Sequence, residues 1–364
     1  MKSYFPILDW LPTYQKEWLR PDIIAALTLW AVLVPEAMAY AGIAGMPPET
    51  GLYAAPLALV AYAIFGTSRH LDVGPSSAVA ALSFSIVAGL AVAGSPEFIT
   101  LTIALALVVG IFMIIGGLLK MGVLADFLSL PVLDGFVVGV AISIAIGQLD
   151  KLLGFEVEGA YDFVPDIVTI VANLEMIDWP TFIVGLSSLA LLFILHRYAP
   201  KIPGSLVVLI LAIAASSFLD FESMGIHIVG EIPAGLPDFG YPEEMGLGDM
   251  LAVAPGAVGL ALVAFAESVA IARSMATKYG YEVDANQEMI AVGAAKIGSS
   301  FSGAFVVDGS MSRTSVADGA GAKSQMVSLI AAVAILITAA FLTPLFFNLP
   351  EATLGAIVIH AVWH

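Results

Sequence analysis

Windows of roughly 18 to 25 apolar residues recur from one end of this chain to the other, each long enough to cross a hydrocarbon layer about 30 Å thick. Backbone N–H and C=O groups cannot find water in such a layer, so only helices and closed barrels span it. Windows of this length select helices. The chain is 60% hydrophobic and 12% charged, outside the range of ordinary soluble domains. It reads as an all-α polytopic membrane protein with the lipid bilayer as its first partner. Spans are predicted at 22–44, 50–66, 72–91, 98–118, 128–148, 180–197, 203–219, 250–275, 285–300, 312–323 and 326–343, with a last one from 351. The mixed segment Met1 to Asp22 lacks a basic n-region and a short apolar core, so no cleavable leader is expected.

Lys and Arg accumulate in cytoplasmic loops. Lys2, Lys16, Arg20, Arg69, Lys120, Arg197, Lys201, Arg273 and Lys278 all fall on one side if the N-terminus is cytoplasmic, and only Lys151 falls in a loop opposite. The expected location is therefore the cell (inner) membrane, multi-pass, with residues 1–21 as a cytoplasmic segment. Two outer loops, 149–179 and 220–249, are acidic: Asp150, Glu156, Glu158, Asp162, Asp166, Glu175 and Asp178, then Asp220, Glu222, Glu231, Asp238, Glu243, Glu244 and Asp249. They supply much of the net charge of -17. Their ordinary reading is a solvated face; a cation-collecting vestibule is the alternative.

Several chemistries drop out. Cysteine is absent, and His70, His196, His227, His360 and His364 show no metal-ligand spacing, so no metal site and no cofactor are expected. A phosphate-binding G-x-x-x-x-G-K-[ST] loop is missing as well, and no nucleic-acid partner is expected. An intramembrane enzyme would need an acid–base dyad or a nucleophile motif, which is not seen. The chain reads as no enzyme, and catalytic residues are none.

Charge at membrane depth is costly and marks candidate sites. Glu36, in Leu33-Val34-Pro35-Glu36-Ala37, and Glu267, in Phe265-Ala266-Glu267-Ser268, lie 231 residues apart within apolar spans. Each is followed by another span and then by a segment of small or helix-breaking residues: Val73-Gly74-Pro75-Ser76-Ser77-Ala78 and Gly309-Ser310-Met311-Ser312-Arg313-Thr314. Matching Ala78-Val79-Ala80 to Ser315-Val316-Ala317 gives an offset of 237. Two features near one offset indicate a duplication, and seven spans before the second copy invert it. Inverted repeats of this kind bind substrate near the midplane between broken helices. Half-helices starting at the Pro75 and Arg313 segments would aim free N–H groups and positive dipole ends at one point, which suits an anion.

The run Pro48-Glu49-Thr50-Gly51-Leu52-Tyr53-Ala54-Ala55, with Tyr62 and Phe65-Gly66-Thr67-Ser68-Arg69, resembles the signature of the sulfate permease (SulP) family. A second run is similar to another stretch of that family: Ala285-Asn286-Gln287-Glu288, Gly293-Ala294-Ala295, Ile297-Gly298-Ser299-Ser300-Phe301 and Ser312-Arg313-Thr314. The resemblance implies a seven-plus-seven inverted-repeat transporter fold of the uracil-permease kind, with a core domain that carries substrate and a gate domain through which a homodimer packs. It divides the chain into first-repeat core spans and the start of the gate (22–148), first-repeat gate spans (149–219), an outer loop (220–249), second-repeat core spans (250–343) and the start of the second gate half (344–364). The chain stops within or just after the twelfth span. An incomplete second repeat, lacking two spans and the STAS domain that usually follows, is the expectation.

Carried over by position, the substrate-binding residues are Tyr40, Ser76, Ser77, Ser310, Ser312, Arg313 and Thr314, and the ion-coupling residues are Glu36 and Glu267. The implied substrates are sulfate, bicarbonate, chloride or small carboxylates, moved by an elevator-like shift of core against gate. Many similar chains carry glutamine where Glu36 stands. A carboxylate beside a dehydrated anion is repelled unless protonated, which points to proton-coupled symport. Other readings stay open: Glu36 as a structural cap for backbone freed by Pro35, Glu267 as a hydrogen-bonding residue, as a Na⁺ ligand with Ser268 and Ser312, or as a structural partner of Arg313. Na⁺-coupled bicarbonate symport and an uncoupled exchanger or channel are the alternative functions.

Overall fold

The computed structural model describes residues 4–126, 130–155, 168–170, 172–199, 202–241 and 245–363. Lys2, Glu156, Glu158, Asp162, Asp166, Lys201, Glu243, Glu244 and His364 lie outside the described residues. Among the described residues, twelve helices occupy the twelve stretches expected to span. They are α1 (Leu19–Ile43), α2 (Pro48–Phe65), α3 (Ser77–Ala88), α4 (Pro96–Leu118), α5 (Leu130–Ile146) and α6 (Trp179–Tyr198). The rest are α7 (Gly204–Leu219), α8 (Leu247–Tyr279), α9 (Ala285–Phe301), α10 (Met311–Gly319), α11 (Met326–Ile337) and α12 (Glu351–Val362).

Local chemistry sets the starts. Ser95 accepts from the Phe98 N–H ahead of α4, Asp178 from the Thr181 N–H ahead of α6, and Asp284 from the Asn286 and Gln287 N–H groups ahead of α9; such caps satisfy N–H groups that a helix leaves open. Pro48 and Pro96 stand in the first turn, where a missing N–H is harmless. Helices α11 and α12 have 12 residues each, α11 running on through Thr338–Leu342 in a wider turn; α3 and α10, at 12 and 9 residues, rise about 18 Å and 14 Å at 1.5 Å per residue, well short of a bilayer. Each follows a two-residue strand. Strands β1 (Val73–Gly74) and β2 (Asp308–Gly309) pair antiparallel, Val73 opposite Gly309 and Gly74 opposite Asp308.

The fold is an inverted repeat: α3 and α10, each short and each behind a two-residue strand, stand seven helices apart, so the second copy begins at α8. Helices α1 to α4 and α8 to α11 pack into one body, whose densest contacts are α9 on α4 and on α2. The approach of α4 to α9 depends on missing side chains. A Cβ on Gly110 would stand 2.7 Å from the Gly293 carbonyl, and one on Gly293 would stand 2.8 Å from the Gly110 carbonyl. Small residues allow such contact between spans, where no hydrophobic effect drives association. Helices α6, α7 and α12 form a second group around Leu192, Val208, Ala356 and Ile357, and α12 and α7 also rest on α1.

The loop before α8 is tied to the start of α12: Val229 N–H donates to the Leu349 carbonyl at 2.9 Å, and Glu351 N–H to that of His227 at 3.0 Å. Its carboxylates Asp220, Glu222, Glu231 and Asp238 are exposed.

Candidate functional site

Pairing of β1 with β2 brings the starts of α3 and α10 together, one half-helix from each repeat. The N-caps are Ser76 and Ser310, both extended in backbone conformation. Arg313 is therefore the third residue inside α10, not a residue ahead of it, and the two half-helices align three residues short of the offset of 237. Ala78 matched to Ser315 was a match of like sequence, whereas hydrogen bonding sets the helix start. The two caps differ. Ser310 Oγ accepts from the Arg313 N–H at 3.3 Å, whereas Ser76 makes no side-chain cap. The first turn of α3 therefore keeps uncapped N–H donors, the anion-binding feature of a helix start.

Arg313 is fully buried. Its Nε donates to Asp72 Oδ2 at 2.5 Å and its Nη1 to the Pro75 carbonyl at 2.5 Å, while Nη1 stands 3.6 Å from Glu36 Oε2. The guanidinium thus bridges from α10 to the segment entering α3 and to α1. Its Nη2 and Asp72 Oδ1 are buried without a hydrogen-bond partner. A Cβ on Gly74 would stand 3.3 Å from Nη2, so glycine leaves room for the arginine. Thr314, also fully buried, accepts the Asp72 N–H at 3.0 Å. Its hydroxyl holds the same junction.

Tyr40 and Glu36 are buried on α1, four residues apart and hence on one face. Around the half-helix starts Ser76 is buried, Ser77 and Ser310 are half-buried and Ser312 is exposed. Of the expected substrate-binding residues, then, Ser76, Ser77, Ser310, Ser312, Arg313 and Thr314 come together at the β1–β2 junction, and Arg313 reaches Glu36.

Glu267 is not the partner of Arg313 by hydrogen bond; its Oε2 is buried with no hydrogen-bond partner. It belongs to a second charged cluster. Lys296 on α9 and Asp308 at the start of β2 are both fully buried, with Nζ 2.9 Å from Oδ1. Ser268 Oγ donates to the same oxygen at 2.8 Å and accepts the Gly309 N–H at 3.0 Å. Asp72, Lys296 and Asp308 were missed in the sequence. An intramembrane charge is almost always paired, and the partner that the sequence offers Arg313, Glu267, is not the one that its Nε takes, which is Asp72.

The loop after α2 is pinned separately. Glu288 on α9 accepts from Tyr62 Oη at 2.5 Å, from the Thr67 N–H at 2.6 Å and from the Ser68 N–H at 3.2 Å. This clamp fixes the approach to β1.

Residues 19–364 match the model of the sulfate permease family. A probable sulfate transporter of Mycobacterium tuberculosis (strain H37Rv) is 39% identical over 348 residues, 96% of this chain and 62% of the relative. Sulfate transporter 4.1, chloroplastic, of Arabidopsis thaliana is 36% identical over 368 residues, 99% of this chain and 53% of the relative. The chain thus spans less than two thirds of the length of these relatives. Among solved structures, murine Solute Carrier 26 family member A9, an anion transporter in the inward-facing state, superposes with a TM-score of 0.91 at 28% identity, covering 98% of this chain and 62% of that one. The transmembrane domain of the cyanobacterial bicarbonate transporter BicA shares the fold, with a TM-score of 0.85 at 22% identity over 96% of this chain and 90% of that one.

Proposed function

The chain belongs to the sulfate permease family, and we propose that it forms the membrane path of a secondary active transporter for small inorganic or carboxylate anions of the sulfate, bicarbonate or dicarboxylate class. One observation carries the reading: β1–β2 pairing sets the uncapped start of α3 against the start of α10. Two positive helix ends at one point stabilise negative charge. In this proposal Ser76, Ser77 and Ser312 donate to the anion, Ser310 holds the turn, Tyr40 walls the pocket, and Arg313 with Thr314 sets the field. The names of the relatives, which include sulfate transporters and an anion transporter, support the class.

Charge counting favours a proton as the coupling ion. Arg313 brings one positive charge, while Asp72 and Glu36 beside it bring two negative ones. An anion entering near Nη2 adds to that excess in a medium where unpaired charge is costly. Protonation of Glu36 restores the balance, so anion and proton load together. Transport then proceeds as an elevator-like movement of the α1–α4 and α8–α11 body against the α6, α7 and α12 group, in a homodimer packed through that group. The membrane is the cell's inner membrane, with the N-terminus cytoplasmic.

Proteoliposomes loaded with the protein test this. An inward proton gradient should drive uptake of radiolabelled sulfate or bicarbonate, and Glu36→Gln should keep exchange while losing the gradient response. Uptake that needs external Na⁺ would support Na⁺-coupled symport instead. Large currents without gradient coupling would support an exchanger or channel.

A further inference from the structure

The second charged cluster lies beside the proposed anion path and takes no part in it. Three elements converge there: α8 through Glu267 and Ser268, α9 through Lys296, and β2 through Asp308. Two carboxylates and a hydroxyl make a set of hard oxygen donors, and carboxylates near half-helix starts are where secondary transporters hold a coupling cation. In this chain a covalently attached cation stands among them. Lys296 Nζ is 2.9 Å from Asp308 Oδ1, with both side chains fully buried. Glu267 is within Coulombic range of Lys296, Asp308 and Arg313. Asp308 Oδ2 and Glu267 Oε2 are buried without a hydrogen-bond partner, so the cluster retains acceptor capacity beyond what the ammonium uses.

The close fit on the other side of Asp308 keeps the cluster compact. A Cβ on Gly309 would stand 2.8 Å from Ser268 Oγ, so the glycine lets strand and helix share that hydroxyl. We propose that Lys296 is a tethered counter-cation for Glu267 and Asp308, occupying the position that a Na⁺ ion would otherwise fill, so that anion movement through this protein is independent of Na⁺. The proposal rests on the transport reading for its consequence and on the cluster geometry for its cation.

Thermal melting of the detergent-solubilised protein, in NaCl against choline chloride at equal ionic strength, reads cation binding without any need for flux. The wild-type melting temperature should be the same in both salts. Lys296→Met removes the ammonium and leaves the oxygens, so its melting temperature should rise saturably with Na⁺. Lys296→Arg, which keeps a positive charge, should show no such rise. In proteoliposomes, wild-type anion uptake should be equal with external Na⁺ or choline, while Lys296→Met uptake should be about fivefold higher or more in Na⁺, the lower end of ordinary site-to-site coupling. A saturable Na⁺ rise in the wild type overturns the proposal, and so does a folded Lys296→Met with no Na⁺ response. Should Lys296→Met not fold, the wild-type arm still decides. Absence of any anion flux by a protein that melts as described would count against the transport reading and leave the cation assignment standing.

Discussion

Among the described residues, two cationic side chains, Arg313 and Lys296, are fully buried, and their partners come from different places. Arg313 takes Asp72, 241 positions earlier and in the other repeat, with Glu36 of α1 on its far side. Lys296 takes Asp308, only 12 positions on and in its own repeat, with Ser268 as a shared hydrogen-bonding partner. The arginine pair is therefore a latch between repeats, placed where the two half-helices meet. The lysine pair is a local brace behind one of them. Side-chain chemistry suits the division: a guanidinium keeps its charge and offers a fork of donors that can bridge several groups, whereas an ammonium is a compact point charge.

Asp72→Asn is the strongest way to break that comparison. It leaves a permanently charged, fully buried guanidinium with a weakened partner, and the loss expected for breaking a buried pair is about 3–5 kcal/mol. A large drop in melting temperature in detergent would register it. Adding Arg313→Gln should recover much of the loss, since the double variant buries no stranded charge. Equal melting of Asp72→Asn and wild type would mean the latch does not hold the repeats together.

Asp308→Asn should cost less than Asp72→Asn in the same assay. A buried lysine can give up its proton when its partner is removed, and an arginine cannot. An equal or larger loss would show that the local brace matters as much as the latch.

The two caps sharpen the contrast further. Ser310→Ala removes a side-chain bond to the Arg313 N–H and should destabilise by about 1 kcal/mol. Ser76 makes no such bond, so Ser76→Ala should leave melting unchanged and weaken anion binding instead, measured by calorimetry. The smallest effect belongs to exposed Ser312. Its replacement by Ala should weaken anion affinity by about 0.5–1.5 kcal/mol, the net worth of one hydrogen bond, without altering stability.

Much of the architecture was legible in the chain. Apolar windows located the twelve helices, and Gly74-Pro75 with the serines around Arg313 marked the two breaks. Those signals are local, because a helix span needs only length and apolar content. The partners of the charges were not legible in that way. Asp72 is the first residue of the span predicted over 72–91, and Lys296 stands alone between Ala295 and Ile297 without disturbing an apolar window. Pairing across 241 positions follows from β1–β2 register, and two-residue strands leave no periodicity to read. Arg313 read from sequence as an open anion ligand, yet two of its three nitrogens are engaged within the protein. Only Nη2 remains for a ligand.

Anomalous scattering from selenate offers the most direct test of where the anion goes. Crystals grown with selenate in place of sulfate should show a selenium peak between the first turn of α3 and Ser312, close to the Ala78 and Val79 N–H groups and within reach of Arg313 Nη2. A selenium peak elsewhere in the membrane body, with the junction of the two half-helices unoccupied at saturating selenate, would contradict the account.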